Sequence, residues 1–374
     1  MIFYYPETAS GHETTTPNSH LPNFYKLDKN VSFMLTDKEV KFVKEELASS
    51  KNPLFFYDDD PDGLSSFLIM YKLHREGTGI VIKSAPKVDM KFMRKVDELN
   101  PDKIFVLDVP MIEQEFVDKV KRPIFHIDHH NPHNLKKVHY YNPRIKDPDA
   151  YIPTSRMAFQ INPAELWIAT VGCLADYHMP DFIDKFIEKY PHLLPKKTTI
   201  SDAVYNYPVG KLVRIFSFIL KGPFSEVKKS IKILTRIKSP EELLDQTTAQ
   251  GKYIYKRFES INKRYESLLK QTKKHVTRSK ILLFPYSESQ WSFTADLSNE
   301  LSAKYPKKVI IIARKKDGKM KCSLRAKINI ADALEKALVG IKGYGGGHPN
   351  ACGAVIDEND WERFLKNFRN ELKC

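Results

Sequence analysis

Four aspartates crowd into five positions of FFYDDDPDGLSS, residues 55–66: Asp58, Asp59, Asp60 and Asp62. Carboxylates this close repel one another unless positive charge sits among them. Asp58, Asp60 and Asp62 alternate, so extended backbone would aim them to one side and Asp59 to the other. Further along stand Asp108 in VLDV, the triplet Asp128-His129-His130, and Asp176 in TVGCLADYHMPD. Carboxylate oxygen together with imidazole nitrogen suits a hard or borderline cation, manganese or magnesium, better than a sulfur-seeking metal. Two such cations about 3.5–4 Å apart, bridged by a shared carboxylate, can activate water and neutralise charge developing on a phosphoryl group. Each residue type also has an ordinary structural role. Aspartates after strands cap helices, and His-His pairs are often exposed. Their joint order, each at the end of an expected element, favours a common site.

The elements that must position these residues can be read from local patterns. Thr36 to Glu39 forms a T-x-x-E capping box that opens a helix running to about Ser49. Leu54–Tyr57 reads as a short strand, LSSFLIMYKLH as a helix and GIVIKSA as a strand. MKFMRKVDEL (helix), KIFVLDV (strand), EQEFVDKV (helix) and PIFHID (strand) follow. Alternation of this kind implies a parallel sheet with crossover helices, and ligands of such sheets gather at the carboxyl ends of the strands. The aspartate cluster, Asp108 and Asp128 all fall at such ends. From about 200 to 280 the chain turns to lysine-rich helical segments, which read as a connector with one packed apolar stripe. A second α/β pattern follows: strands KILLFPY, KVIIIARK and GKMKCSLRA, and helices ADLSNELSAKY, NIADALEKAL and ENDWERFLKNFRNEL. A loop, KGYGGGHPNACGA, precedes the last helix.

Composition sets the outer limits. The chain has 374 residues, 42% hydrophobic and 28% charged, which suits a globular protein of two ordinary domains. No apolar run approaches a membrane span, and the polar, acid-containing start does not read as a signal peptide. Cys173, Cys322, Cys352 and Cys374 form no CxxC pair, so a reducing cytoplasm is the expected home rather than a disulfide framework. The formal charge of +14 favours a polyanionic partner, most economically nucleic acid.

The ordered series D-D-D-P-D-G, V-L-D-V, I-D-H-H-N-P, G-C-L-A-D and G-G-G-H-P-N-A-C-G resembles the DHH phosphoesterase family, over roughly 50–180 and 280–370. The resemblance implies a catalytic domain in residues 1–195, with 1–30 as an N-terminal extension. It further implies a helical connector in 196–279 and a DHH-associated substrate-binding domain in 280–374, with the active site in the cleft between the two α/β domains. Carried over by motif, Asp58, Asp60, Asp62, Asp108, His129 and Asp176 would hold two manganese ions, magnesium being the other choice. Asp108 would bridge them and His130 would orient a ligand or touch the phosphate. Family members often carry a histidine four residues before the central aspartate of the first motif. Here Phe56 stands there and cannot ligate, and Asp58 matches the RecJ-like pattern instead. Asp59 has no counterpart and is expected to be exposed or behind the ligands.

Glycines let backbone approach a phosphate and aim N–H groups at it. Gly345, Gly346, Gly347 and His348, with Arg325 gripping a phosphate bidentately, are the expected substrate-binding residues. Cys352 reads as a packed side chain, not a nucleophile. The reaction expected is hydrolysis of a phosphodiester in single-stranded DNA or RNA by a RecJ-like exonuclease. A short-oligonucleotide or cyclic-dinucleotide phosphodiesterase of the same family is the alternative. A metal-free structural component of a replication complex would show broken motifs, and every strong ligand position here is filled.

Overall fold

The computed structural model describes residues 34–83, 87–287 and 290–372. The expected extension of residues 1–30, and the end of the GIVIKSA segment, lie outside these. Five strands, β1 Leu54–Asp58, β2 Thr78–Ile82, β4 Ile104–Leu107, β6 Ile124–Ile127 and β7 His139–Tyr141, form a parallel sheet in the order β2-β1-β4-β6-β7. β3 Lys87–Val88 and β5 Met111–Ile112 make a separate two-stranded parallel pair. Alternation sends Leu54 and Phe56 to one face, where they join Val106 and Ile124 in a core with Phe116. On the other face Phe55, Phe105 and Phe125 stack in a row across neighbouring strands, with centroids 5.4 and 4.9 Å apart. Burial on both faces is why β1 and β4 read as unbroken apolar runs.

The capping box forms as read: Thr36 caps α1, Asp37–Ala48, and Glu39 bonds back to the Thr36 amide. α2, Pro61–His74, follows β1 and packs against α5, Thr154–Ile161, and α6, Leu166–Ala175. α3 Met93–Leu99 and α4 Gln114–Val120 are the crossover helices of the sheet. α7 Ile183–Lys189, α8 Ile200–Tyr205, α9 Pro208–Ile219, α10 Phe224–Leu234 and α11 Pro240–Leu244 complete this part. α9 packs directly on α2 and α6. The chain divides into two units, residues 34–220 with 224–256, and residues 221–223 with 257–372. Helices α8 to α11 thus belong with the parallel sheet instead of standing apart, because α9 buries Leu212, Ile215 and Phe216. α12, Ala249–Thr272, has residues in both units.

The second unit holds a mixed sheet: β8 Ile281–Ser287, β9 Val309–Lys316, β10 Lys319–Arg325, β11 Gly343–His348 and β12 Ala351–Asp357, in the order β11-β12-β10-β9-β8. β8 and β9 are parallel and the other pairs antiparallel. α13, Thr294–Lys304, packs on β9 and β10, while α14, Ala331–Ala337, packs with α15, Trp361–Glu371. The glycine stretch, expected as a loop, is the exposed edge strand β11. A Cβ on Gly345 would sit 2.8 Å from the Gly353 carbonyl oxygen, and one on Gly347 (φ +147°) 2.4 Å from that of Ala351. Glycine is what permits so close an antiparallel pairing. No helix among the described residues is long and apolar enough to cross a membrane.

Candidate metal centre

The site forms where β1, β4 and β6 end and two helices begin. Extended backbone stops at Asp58. Asp60 is the N-cap of α2, its Oδ1 accepting from Gly63 N at 2.8 Å, and Pro61 occupies the first helical position. Asp62 therefore reaches the site from the first helical turn, not by strand alternation as its spacing had suggested. Gly63 is required by contact: a Cβ there would lie 2.7 Å from the Asp58 carbonyl oxygen.

Asp62 is fully buried and accepts from Thr154 N at 2.8 Å, from Ser155 N at 3.1 Å and from the Ser155 hydroxyl, all at the start of α5. Gly172 of α6 makes room for this, since a Cβ would meet Ser155 Oγ at 2.4 Å. Asp108 follows β4 with φ +60°, a left-handed conformation uncommon outside glycine and held only where surroundings enforce it. Its Oδ1 accepts from Thr154 Oγ1 at 3.0 Å, and its buried Oδ2 has no partner.

His129 joins the two sides. Its Nε2 lies 3.2 Å from Asp108 Oδ1 and 3.4 Å from Asp176 Oδ2, and its buried Nδ1 has no partner. Two groups of donor atoms, each mutually within 4.8 Å, share this residue: Asp62, His129 and Asp176, and Asp108, His129 and His130. Asp58 and Asp60 are in neither group. Their charges nevertheless reach it, since both help hold the carboxyls of Asp108 and Asp176 up.

Asp128 is not part of either donor group. It is buried and receives His130 N at 3.1 Å, His130 Nδ1 at 2.8 Å and Asn142 Nδ2 at 3.2 Å, so it positions His130. Asn142 also donates to the His130 carbonyl at 2.9 Å. Neither Asn142, Thr154 nor Ser155 was signalled by the sequence, because amide and hydroxyl side chains at an element end have no distinctive spacing. Tyr151 was missed as well: its ring lies 5.7 Å from that of His129, and its hydroxyl donates to the Asp176 carbonyl at 2.8 Å. Asp59 turns aside to Lys83, 3.4 Å away. Phe56, whose side chain cannot ligate, is wholly buried.

The electrostatics are those of a crowded anionic cluster. Burial first, then the neighbouring Asp60, pushes both Asp58 and Asp62 up to about 7. Burial and the other carboxylates push Asp108 and Asp176 well above their ordinary value. Burial, then His130, brings His129 down to about 3, which leaves a neutral imidazole with a lone pair. His130 is raised: burial alone would lower it, but the hydrogen bond and charge of Asp128 outweigh that. Neutral imidazole, clustered carboxylates and two unpartnered buried atoms fit a divalent cation of the manganese or magnesium kind.

In the second unit, Arg325 Nε donates to Asn299 Oδ1 at 2.7 Å, and its NH1 donates to the carbonyls of Leu324 and Cys352 at 2.8 and 3.3 Å. The guanidinium is thus fixed at the end of β10 beside the hairpin. His348 closes β11, exposed, and pairs with Ala351. Cys352 is buried with its thiol on the His348 carbonyl, and burial raises its pKa.

A family model, the DHHA1 domain, matches residues 290–373. No curated protein matches the chain by sequence. Among solved structures, RecJ with Mn2+ from Thermus thermophilus superposes with a TM-score of 0.64 at 15% identity, covering 90% of this chain. This chain spans 55% of that protein. A DHH domain from a protein described as a member of a family of ribosomal proteins gives 0.63 at 12% identity, covering 90% of this chain and 89% of its own. A manganese-bound exonuclease RecJ gives 0.55 at 16% identity, covering 88% and 92%. The chain thus carries a DHHA1 domain and shares its fold with RecJ and with that DHH domain.

Proposed function

We propose that this chain is a metal-dependent phosphodiester hydrolase acting as an exonuclease on single-stranded DNA or RNA. The observation that carries this reading is the pair of donor groups meeting on His129, with Asp108 Oδ2 and His129 Nδ1 buried and unpartnered. Asp58, Asp60, Asp62, Asp108, His129 and Asp176 are the proposed ligands of two cations, manganese first and magnesium second. Such cations, when bound, supply Lewis acidity toward phosphoryl oxygen and lower the pKa of water. The protein's own residues do the rest. Thr154 and Ser155 fix the carboxylates of Asp108 and Asp62. His130, held by Asp128, retains its proton more readily than free imidazole and can donate to a phosphate oxygen. Arg325, Gly345, Gly346, Gly347 and His348 are the proposed substrate-binding residues. The net charge of +14 supports a nucleic-acid substrate, and the buried free thiols suit a reducing cytoplasm.

The test is hydrolysis with manganese of end-labelled single strands, DNA and RNA, from dinucleotides to about thirty nucleotides. Stepwise shortening of the long strands supports the exonuclease. Cleavage confined to dinucleotides or a cyclic dinucleotide would move the protein to the small-nucleotide alternative. No cleavage by metal-loaded protein would refute a hydrolase.

A further inference from the structure

The positive charge is unevenly shared along the chain. Residues 257–374 hold 24 Lys and Arg against 13 Asp and Glu, a net of +11 out of +14. Within them, residues 267–287 and 301–316 contain no acid at all. These two stretches enter the sheet side by side as β8 and β9, with Ile281 paired to Val309. Register carries that line across the sheet: Ile310 pairs with Arg325, Arg325 with Ala351, and Ala351 with His348. The lysines preceding β8 and β9 therefore stand at the same sheet end as Arg325 and His348. Lys308 Nζ donates to the carbonyls of Thr277 and Ser279 at 2.8 and 2.6 Å, which draws the preceding basic segment to this end. Arg278, Lys280 and Lys307 are exposed there, and Lys273 and Lys274 are exposed just before them in the chain.

The opposite end differs. It carries Asp317, Asp357, Glu358 and Asp360 alongside Lys316 and Lys319, and three of its basic residues are paired: Lys342 with Asp357 at 3.4 Å, Arg363 with Asp360 at 2.9 Å, and Lys315 with Glu358. One end of the sheet is thus strongly positive, while at the other acids stand among the lysines. Five strands at the usual spacing make such an end roughly 20 Å across, longer than the pair of phosphates a dinucleotide could offer.

We infer that this sheet end is a track for the sugar-phosphate backbone of a nucleic-acid single strand, running from the Arg325 and His348 side to Lys280, Lys307 and the Lys273–Arg278 segment. The inference rests on the proposed function for the identity of the polyanion and deepens it, since such a track makes long strands the preferred substrate. Exposed cations along such a sheet end bind phosphates by counterion release, without base reading, so sequence preference is not expected.

The test uses the full chain with Lys274, Arg278, Lys280 and Lys307 all changed to Gln, and a second variant with Lys274→Arg, Lys280→Arg and Lys307→Arg that keeps the charge. Binding of fluorescent oligothymidylates of about three and about twenty nucleotides is measured in EDTA across salt concentrations. The wild type and the Arg variant should hold the longer strand at least tenfold more tightly. The Gln variant should lose that advantage, with a salt slope shallower by about 0.7 per lost phosphate contact. Its melting temperature and manganese affinity should be unchanged. Equal affinity of wild type and Gln variant for the long strand would overturn the inference, as would equal binding of an acidic peptide of matched charge. Hydrolysis is scored separately with manganese. A wild type that binds long strands through this edge but cleaves nothing would sink the proposed activity and leave the track standing. A wild type that cleaves strands while the Gln variant keeps its preference for long ones would sink the track alone.

Discussion

Asp176→Asn separates the cost of the acidic cluster from its use. Asp176 and Asp62 offer oxygens within 4.8 Å of each other, and Asp176 is held well above the usual carboxylate range by burial and by Asp62 and its neighbours. Two unit charges at that distance repel by about 3.5 kcal/mol at an effective dielectric of 20. Asparagine removes the repulsion but brings an N–H pair that costs about 1–2 kcal/mol if left unsatisfied. Without metal at pH 8, the variant should be more stable, by at most about 2 kcal/mol, or roughly 4–8 °C in the transition of the first unit. The sign depends on pH. Asp58 and Asp62 have folded values near 7, above those of the unfolded chain, so the native state holds extra protons between about 4 and 7. Metal-free wild type should lose stability as pH rises through that window, and the variant's advantage should vanish near pH 4. Saturating manganese reverses the order: about 2.7 kcal/mol is gained at a hundredfold excess over the dissociation constant, and the variant should gain far less. Differential scanning calorimetry with EDTA or manganese at pH 4, 6 and 8 measures all of this. A variant less stable than wild type in EDTA at pH 8, with an undiminished manganese response, would refute the reasoning.

Asp108→Asn keeps a side chain that tolerates the left-handed backbone and can still accept from Thr154, so the fold should persist while manganese-dependent hydrolysis falls at least about 100-fold. Asn142→Ala releases both Asp128 and the His130 carbonyl, and should cost roughly 10–100-fold in activity or metal affinity by isothermal titration, with circular dichroism unchanged. Gly172→Ala drives a methyl into Ser155 Oγ, and should destabilise the protein by about 1–3 kcal/mol in urea and weaken manganese binding through Asp62. His348→Ala should raise KM for oligonucleotides while manganese affinity, read by titration, stays at the wild-type value.

Much of the architecture was legible in the chain because its signals are local. The capping box at Thr36, the unbroken apolar runs of β1 and β4, and the stop at Pro61–Gly63 each follow from nearest-neighbour chemistry. Residue type and order also pointed to Asp58, Asp60, Asp62, Asp108, His129, His130 and Asp176 as one constellation, of which all but Asp58 and Asp60 fall in the two donor groups. What the sequence could not supply was division of labour among them. Asp128 stands in the triplet as one more candidate until His130 and Asn142 are seen to donate to it, and Asp60 serves as the N-cap of α2 as well as part of the charge cluster. The glycine run reads as a loop because its strand character comes from pairing with β12, not from any propensity of glycine. The gathering of lysines at one sheet end is equally invisible in linear order. Residues 273–280 and 307–308 meet the Arg325 and His348 end only through the register of four strand pairs, and register is a property of the folded sheet.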